Sequence, residues 1–185
     1  MDQKTSKLTV QDICLIAIVT AVVVVMAQIS IPMPAGVPMT MQTFAVTLAG
    51  ILLGSKKGAI SLIVYLLLGF IGLPVFSGFT GGAQALINVT GGFLLSFPLM
   101  AYLIGLGAEH RHERKGMFLA CLVLGTVVNY IIGTVMFCLL TGSSAAAGFT
   151  ACVLPFIPTA VIKAVLAAVL GLNIQKRLSV MSYSA

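Results

Sequence analysis

Three long stretches without a single charged side chain constrain this sequence more than any other feature. Residues 13–55, 58–108 and 116–162 contain no Asp, Glu, Lys or Arg, and they span 43, 51 and 47 residues. A membrane-crossing helix needs about 20 apolar residues, so each stretch is long enough for two crossings and a turn. Only 8% of all residues are charged, against about 25% in soluble domains. The composition excludes a soluble globular domain, a disordered tail and a nucleic-acid-binding module.

Clusters of proline and glycine divide each of these stretches near its middle, at residues 31–38, 74–92 and 142–155. We therefore predict an all-α integral membrane protein with six transmembrane helices, in a single membrane domain that covers residues 1–185. A β-barrel is disfavoured, because its strands would alternate polar and apolar residues. The second and third helices are short for a complete crossing. The predicted helices cover residues 9–29, 40–54, 58–73, 91–107, 116–141 and 155–176.

The basic residues predict how these helices cross the bilayer. Nine of the ten Lys and Arg residues precede helix 1, lie between helices 2 and 3 or helices 4 and 5, or follow helix 6. All four segments fall on one side of a six-helix bundle. Because cytoplasmic loops are enriched in Lys and Arg, we expect both termini in the cytoplasm of a multi-pass protein of the cell membrane. The nine residues are Lys4, Lys7, Lys56, Lys57, Arg111, Arg114, Lys115, Lys176 and Arg177.

Several kinds of chemistry are missing from the sequence. It contains no GxxxxGK[ST] phosphate-binding loop, so we expect neither ATP hydrolysis by this chain nor any other enzyme activity. Its four acidic residues lie near the basic segments, whereas ion-coupled transporters keep carboxylates at membrane depth. We expect no metal and no cofactor, because the four cysteines form no C-x-x-C pair and both histidines lie in a polar loop. The acidic residues are Asp2, Asp12, Glu109 and Glu113.

The tenth basic residue, Lys163, is the clearest candidate for binding a ligand. It lies inside the sixth predicted helix, roughly 12 Å from the outer end of that helix. A lysine at the centre of a span costs about 2.5–3.5 kcal/mol, and no acidic residue is predicted at that depth to neutralise it. The side chain could extend along the helix to the outer headgroups. We favour a ligand that supplies a carboxylate or a strongly polar carbonyl.

Two uncharged outer segments offer aromatic, hydroxyl and glycine residues to such a ligand. Non-helical backbone at membrane depth persists only where it is buried or lines a cavity, although ordinary turns would also fit these segments. Gln42, at the outer start of helix 2, is a further candidate. Asn129 lies in the middle of helix 5, and its amide either bridges helices or contacts the ligand. The candidates in the two segments are Phe76, Phe79, Thr80, Asn88, Thr90, Gly91, Gly92 and Phe93.

A pair of small residues in helix 1, Ala17 and Ala21, has the spacing at which membrane helices approach each other closely. Such a pair serves either packing within the bundle or the docking of a partner. By itself it is weak evidence for a partner.

Four segments, in order along nearly the whole chain, resemble the signatures of the BioY family. Each segment is short, and their combination is what makes the resemblance specific. They are residues 31–34 with 37–43 (IPMP and VPMTMQT), residues 69–76 (GFIGLPVF), residues 90–93 with 97–98 (TGGF and FP), and residues 155–158 (PFIP) with Lys163.

BioY proteins are the biotin-binding S-components of energy-coupling factor (ECF) transporters. The resemblance implies a six-helix S-component bundle whose outer loops cover a biotin pocket, and aromatic side chains such as Phe76, Phe79 and Phe93 would pack against the biotin rings. It also implies two kinds of partner, a transmembrane T-component and two cytoplasmic ATPases. In these transporters an Ala-x-x-x-Ala motif on helix 1 docks the T-component, and Ala17 and Ala21 match it. The loaded S-component is thought to tilt in the membrane and release its substrate inside.

Two positions depart from the family pattern. Ala160 stands three residues before the lysine, where the family commonly has Asp. The carboxylate of that Asp would accept from the ureido N–H groups of biotin. Phe93 stands where the family often has Tyr. Two other functions stay open at this point, an S-component for another small vitamin and a structural or assembly subunit without a ligand. A membrane enzyme ranks third, because no nucleophile–base pair is visible.

Overall fold

Apolar helices account for most of the structure, as the charge-free stretches predict. The computed structural model describes residues 8–34, 36–111 and 116–183, without the side chains of residues 178–183. Within these residues, five helical segments are long and apolar enough to cross a membrane. A short antiparallel ribbon pairs β1 (Ser30–Ile31) with β2 (Met39–Thr40). The helices are α1 (Val10–Gln28), α2 (Gln42–Phe70), α3 (Ala83–Leu86), α4 (Gly91–Glu109), α5 (Met117–Thr141), α6 (Ala145–Cys152) and α7 (Ile157–Tyr183).

The helix α2 is a hairpin of two arms, residues 42–53 and 55–70. Its backbone leaves the helical conformation at Gly54, which has φ 77° and ψ −175°, a conformation that favours glycine. The Gln42 side-chain amide donates to the Tyr65 hydroxyl over 2.8 Å, although these residues would lie about 34 Å apart in a straight helix. The two arms therefore run antiparallel, and with the arms counted separately the described residues contain the six main helices that the sequence predicts, two of them short.

The predicted helix boundaries differ from the structure in the connections and at the ends of two helices. The second arm of α2 begins at residue 55 rather than 58, and the last helix covers Ile157–Tyr183 rather than residues 155–176. Residues 40 and 41 do not belong to a helix, because Thr40 pairs with Ser30 in the ribbon. The second arm of α2 ends at Phe70 rather than at residue 73. Two short helices, α3 and α6, occupy segments predicted to be loops. In α6 an alanine-rich run follows Ser144, whose hydroxyl accepts from the Ala147 amide over 3.3 Å and caps the helix.

The two arms of α2 form the centre of the bundle. They pack against α1, α4 and α7, while α4 also packs against α5. Tyr65, Ile51 and Met100 are among the fully buried side chains of the main hydrophobic core. One polar pair crosses this core, where the Thr20 and Ser61 hydroxyls lie 2.9 Å apart. Both hydroxyls are thereby paired, as buried polar groups require.

Apart from Lys163, the described basic residues gather at one end of the bundle, here called the basic end. Lys57 at the α2 turn pairs with Asp12 near the start of α1. Arg111, after α4, donates to the Gln175 side chain in α7. Lys56, Lys176 and Arg177 neighbour these contacts in the chain. The predicted clustering is therefore present for these five residues, while Lys4, Lys7, Arg114 and Lys115 lie outside the described residues.

Glu109, the last residue of α4, caps the second arm of α2 across the basic end. Its carboxylate accepts from the Ser55 amide over 2.7 Å and from the Ser55 hydroxyl over 2.9 and 3.0 Å. An acidic group at a helix N-terminus satisfies unpaired amides and interacts favourably with the helix dipole. This contact holds the α2 turn against the end of α4.

Replacing Glu109 with alanine should therefore destabilise the bundle by about 0.5–2 kcal/mol, the usual cost of losing an N-terminal cap. We expect a lower thermal unfolding midpoint in detergent, and a smaller decrease in Glu109→Gln, which keeps one acceptor oxygen. An unchanged midpoint in Glu109→Ala would show that this cap contributes no stability.

Candidate functional site

A partly open cavity of about 240 Å³ lies at the opposite end of the bundle, here called the cavity end. Its walls combine residues from the ribbon and its loop, the start of α2, the segment between α2 and α4, and helices α4, α5, α6 and α7, which is why no single sequence segment describes it. Both polar side chains and aromatic rings line it, a composition typical of small-molecule sites. The side chains of the described residues that line it include no carboxylate. They include Thr40, Gln42, Thr43, Phe76, Ser77, Thr80, Asn88, Thr90, Phe93, Phe97, Asn129, Tyr130, Phe156 and Lys163.

Lys163 brings the cavity its one cationic side chain among the described residues. It lies six residues after the start of α7, or about 9 Å along the helix. Its ammonium donates to the backbone carbonyl of Thr40 over 2.8 Å, and Thr40 is its only hydrogen-bond partner in the described part of the chain. Since an ammonium carries three donors, two stay available to a guest in the cavity.

Asp12 and Glu109, the two described acidic residues, both lie at the basic end, where they bond Lys57 and Ser55. Neither reaches the lysine. Among the described residues, the Lys163 ammonium therefore has a peptide carbonyl and no acidic side chain as its partner, and the sequence predicts the missing acid but not the carbonyl. A ligand that carries an anionic or strongly polar acceptor would complete its coordination.

A chain of hydrogen bonds extends from Lys163 along one wall of the cavity. The Thr40 hydroxyl donates to the Gln42 Oε1 atom over 2.8 Å, and the Gln42 amide donates to the Tyr65 hydroxyl over 2.8 Å. Tyr65 in turn donates to the carbonyl of Val75 over 3.1 Å. These bonds fix the Gln42 amide, which is buried, in one orientation. They also join α7, the ribbon, α2 and the loop after α2 in one network.

Asn129 bridges α4 and α5, which is one of the two roles that the sequence allows, and its contact with a ligand stays a prediction. Its amide nitrogen donates to the Phe93 carbonyl over 3.0 Å and to the Ser96 hydroxyl over 2.7 Å, which joins α5 to α4. The Oδ1 atom accepts no hydrogen bond from the described residues. Since Asn129 also lines the cavity, this oxygen is a fixed acceptor for a guest with N–H groups.

A second, smaller hydrophobic cluster borders the cavity. Its buried members are Val37 from the loop between β1 and β2, Phe137 from α5, Cys152 from α6 and Phe156 from the turn before α7. The Phe93 ring meets the Tyr130 ring edge to face, with centroids 6.3 Å apart. Short connecting elements therefore border the cavity, and Lys163 on its wall is partly buried.

Eleven residues are predicted to bind a ligand, and eight of them line the cavity. Their contact with a ligand stays a prediction, but the fold brings together segments from four separate parts of the chain. The eight are Gln42, Phe76, Thr80, Asn88, Thr90, Phe93, Asn129 and Lys163.

Three predicted ligand contacts, Phe79, Gly91 and Gly92, lie outside the lining. The Phe79 side chain is 72% exposed at the outer surface of its loop. The Gly91 amide donates to the Asn88 carbonyl over 2.9 Å, so it does not point to a guest as expected. A Cβ atom on Gly92 would lie 2.8 Å from the carbonyl oxygen of Ile132, so this glycine allows α4 to approach α5. The two glycines serve packing at the start of α4.

Several lining residues escape sequence reasoning. Phe97 follows Phe93 by one helical turn, and this spacing indicates the same helix face. Thr43 and Tyr130 directly follow predicted site residues. No comparable signal exists for Val37 or Phe156, because their places depend on how the ribbon and the turn before α7 fold over the cavity. Ala160 borders a small void beside Lys163 and does not line the main cavity.

Known proteins are similar in sequence to this chain over most of its length. The chain is 41% identical to the biotin transporter BioY of Thermotoga maritima over 162 residues, which cover 86% of this chain and 92% of that protein. It is 35% identical to the biotin transporter BioY2 of Lactococcus lactis, over 91% of this chain and 92% of that protein.

A solved structure has the same fold. It is the crystal structure of the S-component for biotin from an ECF-type ABC transporter, with a TM-score of 0.82, 28% sequence identity and coverage of 95% of both chains. The sequence profile of the BioY family matches residues 1–180. This match, together with the identities to the two transporters, shows that the chain belongs to the BioY family.

Proposed function

We propose that this chain is the biotin-binding subunit of a vitamin uptake transporter of the cell membrane. The observation that carries the proposal is the ammonium of Lys163. It lies on the wall of a cavity lined by no carboxylate, and among the described residues its only partner is a peptide carbonyl. Membership in the BioY family supports biotin as the ligand, as do the relatives named as biotin transporters.

The cavity complements the functional groups of biotin. Biotin carries a carboxylate, a ureido carbonyl, two ureido N–H donors and a fused apolar ring system. Lys163 can donate to either the carboxylate or the carbonyl, and the Asn129 oxygen can accept from an N–H group. Phe76, Phe93 and Phe97 supply apolar walls for the rings. An acceptor on α5 would then replace the carboxylate that Ala160 lacks.

Replacing Lys163 with methionine should weaken biotin binding by about 10- to 100-fold, because a hydrogen bond to a charged group contributes about 1.5–3 kcal/mol. Calorimetric titration of the purified protein in detergent measures the affinity. Lys56→Met is the matched control, because Lys56 is exposed at the basic end, and its affinity should equal that of the unaltered protein.

Unchanged affinity in Lys163→Met would contradict the site assignment. Comparing biotin with biotinamide in both proteins identifies the group that meets the lysine. If it is the carboxylate, the preference for biotin disappears with Lys163, and if it is the ureido carbonyl, the preference persists. Tight binding that appears only in Ala160→Asp would show that the site needs an acid on α7. Displacement of biotin by another vitamin at equal concentration would favour a different ligand.

The chain requires partners for active transport. It lacks a recognisable ATP-binding loop, and we propose that a transmembrane T-component and two cytoplasmic ATPases drive release. The similarity to an S-component of an ECF-type transporter supports this assembly. Ala17 and Ala21 are both exposed on α1, opposite its buried face of Ile16, Val19 and Val23. A partner helix could approach α1 closely at these two alanines.

Leucine at both Ala17 and Ala21 should abolish co-purification with the T-component, because the larger side chains keep the helices apart. Biotin affinity should stay within about two-fold, since neither alanine lines the cavity. The control is Ala120→Leu, at an exposed alanine of α5, and it should co-purify normally. Normal co-purification of the double variant would exclude this face as the docking site.

We further propose that the basic end faces the cytoplasm, so that both termini are cytoplasmic and the cavity opens outward. The excess of Lys and Arg at one end supports this orientation. In a cysteine-free background, a membrane-impermeant maleimide added to intact cells should label Ser77→Cys and leave Lys56→Cys unlabelled. The reverse pattern would invert the topology.

A further inference from the structure

We propose that Gln28 is the positioning residue that holds the loop of residues 75–80 against the cavity and thereby sets how fast a bound ligand leaves. The inference rests on the proposed function in one respect, since biotin is taken as the ligand. Gln28 itself does not line the cavity, and neither the charge pattern nor the helix periodicity distinguishes it.

Gln28 contacts the loop with both ends of its side-chain amide. It lies at the end of α1 and is half-buried. The nitrogen donates toward the carbonyls of Phe76 and Val75, at 3.2 and 3.4 Å, and toward Val24 of its own helix. The Oε1 atom accepts from the Phe79 amide over 2.9 Å. One side chain therefore pairs with backbone groups at both the start and the tip of the loop.

The tip of the loop has few other contacts to hold it. Phe79 has a φ of 56°, which is rare for a residue other than glycine and persists where the surroundings hold it. Its ring is mostly exposed and gives no anchor. Within the loop, the Phe76 amide donates to the Thr80 carbonyl and the Thr80 hydroxyl donates to the Ser77 carbonyl, each over 3.0 Å. The Phe79 amide is held from outside the loop by Gln28.

This loop matters because it supplies Phe76, Ser77 and Thr80 to the cavity wall. The Phe76 ring packs tightly against Gly69 and meets Tyr65 edge to face, so the base of the loop is anchored in the core. The Val75 carbonyl ends the hydrogen-bonded chain that begins at Lys163. Gln28 joins this chain to α1, and loss of its amide would release the loop on the side away from the core.

Gln28→Met keeps the side-chain length and removes both hydrogen-bonding ends. We expect biotin to dissociate about ten-fold faster, because the variant loses two or three hydrogen bonds that hold the loop of residues 75–80 against the cavity. In the ligand-free protein, amide hydrogen exchange in residues 75–82 should accelerate, while the thermal midpoint changes little. Gln28→Glu keeps an acceptor for the Phe79 amide and loses the donors, so exchange at Phe79 should be slower than in Gln28→Met.

The matched control is Gln84→Met, because Gln84 is exposed in α3 and its side chain makes no hydrogen bond with the described residues. It should leave both exchange and dissociation unchanged. Unchanged loop exchange in Gln28→Met would overturn the inference, and so would faster exchange with an unchanged dissociation rate. If the unaltered protein bound no biotin while loop exchange still depended on Gln28, the positioning role would stand and the proposed ligand would be wrong.

Discussion

The lysine on α7 is the constraint around which the cavity end is organised. A charged ammonium in a bilayer is expensive, and neither of the two described acidic residues lies at that depth to offset it. The fold supplies the carbonyl of Thr40 as a partner and places the ammonium on the wall of the cavity. A peptide dipole offsets only part of the cost, and the cavity leaves room beside the ammonium for a further acceptor. The hydrogen bonds through Gln42 and Tyr65 then hold the cavity wall in the geometry that this arrangement requires.

The space for the cavity follows from the short arms of α2. At 1.5 Å per residue, arms of 12 and 16 residues reach only about 18 and 24 Å, less than the hydrocarbon thickness of about 30 Å. Their turn lies at the basic end, where Glu109 holds Ser55. The opposite end of the bundle is therefore filled by connecting segments, and these segments line and cover the cavity. The non-helical backbone of these segments is compatible with the membrane because amides such as those of Phe76 and Gly91 are paired within the protein.

A site residue is predictable from the sequence where it is unusual in its setting. Lys163 is a single charge within an apolar stretch of helix, and Phe76, Asn88 and Thr90 are polar or aromatic residues in breaker segments. The position of a side chain is not predictable where it depends on rotation about the backbone. Phe79 is close to Phe76 in the chain, yet its positive φ turns the side chain outward. Gly91 and Gly92 resembled a ligand-approach motif, but the same lack of a side chain serves the contact between α4 and α5.

The membrane class, the succession of helices, the clustering of basic residues, the lysine without an acidic partner and the resemblance to a family are all readable from the amino-acid sequence. These properties follow from composition, local breakers and segment patterns, which are visible in short stretches of the chain. Three contacts are visible only in the folded protein: the Thr40 carbonyl meets Lys163, Val37 and Phe156 line the cavity, and Gln28 contacts the loop after α2. Each of these contacts joins residues far apart in sequence, and its geometry depends on how the hairpin, the ribbon and the turn before α7 pack together.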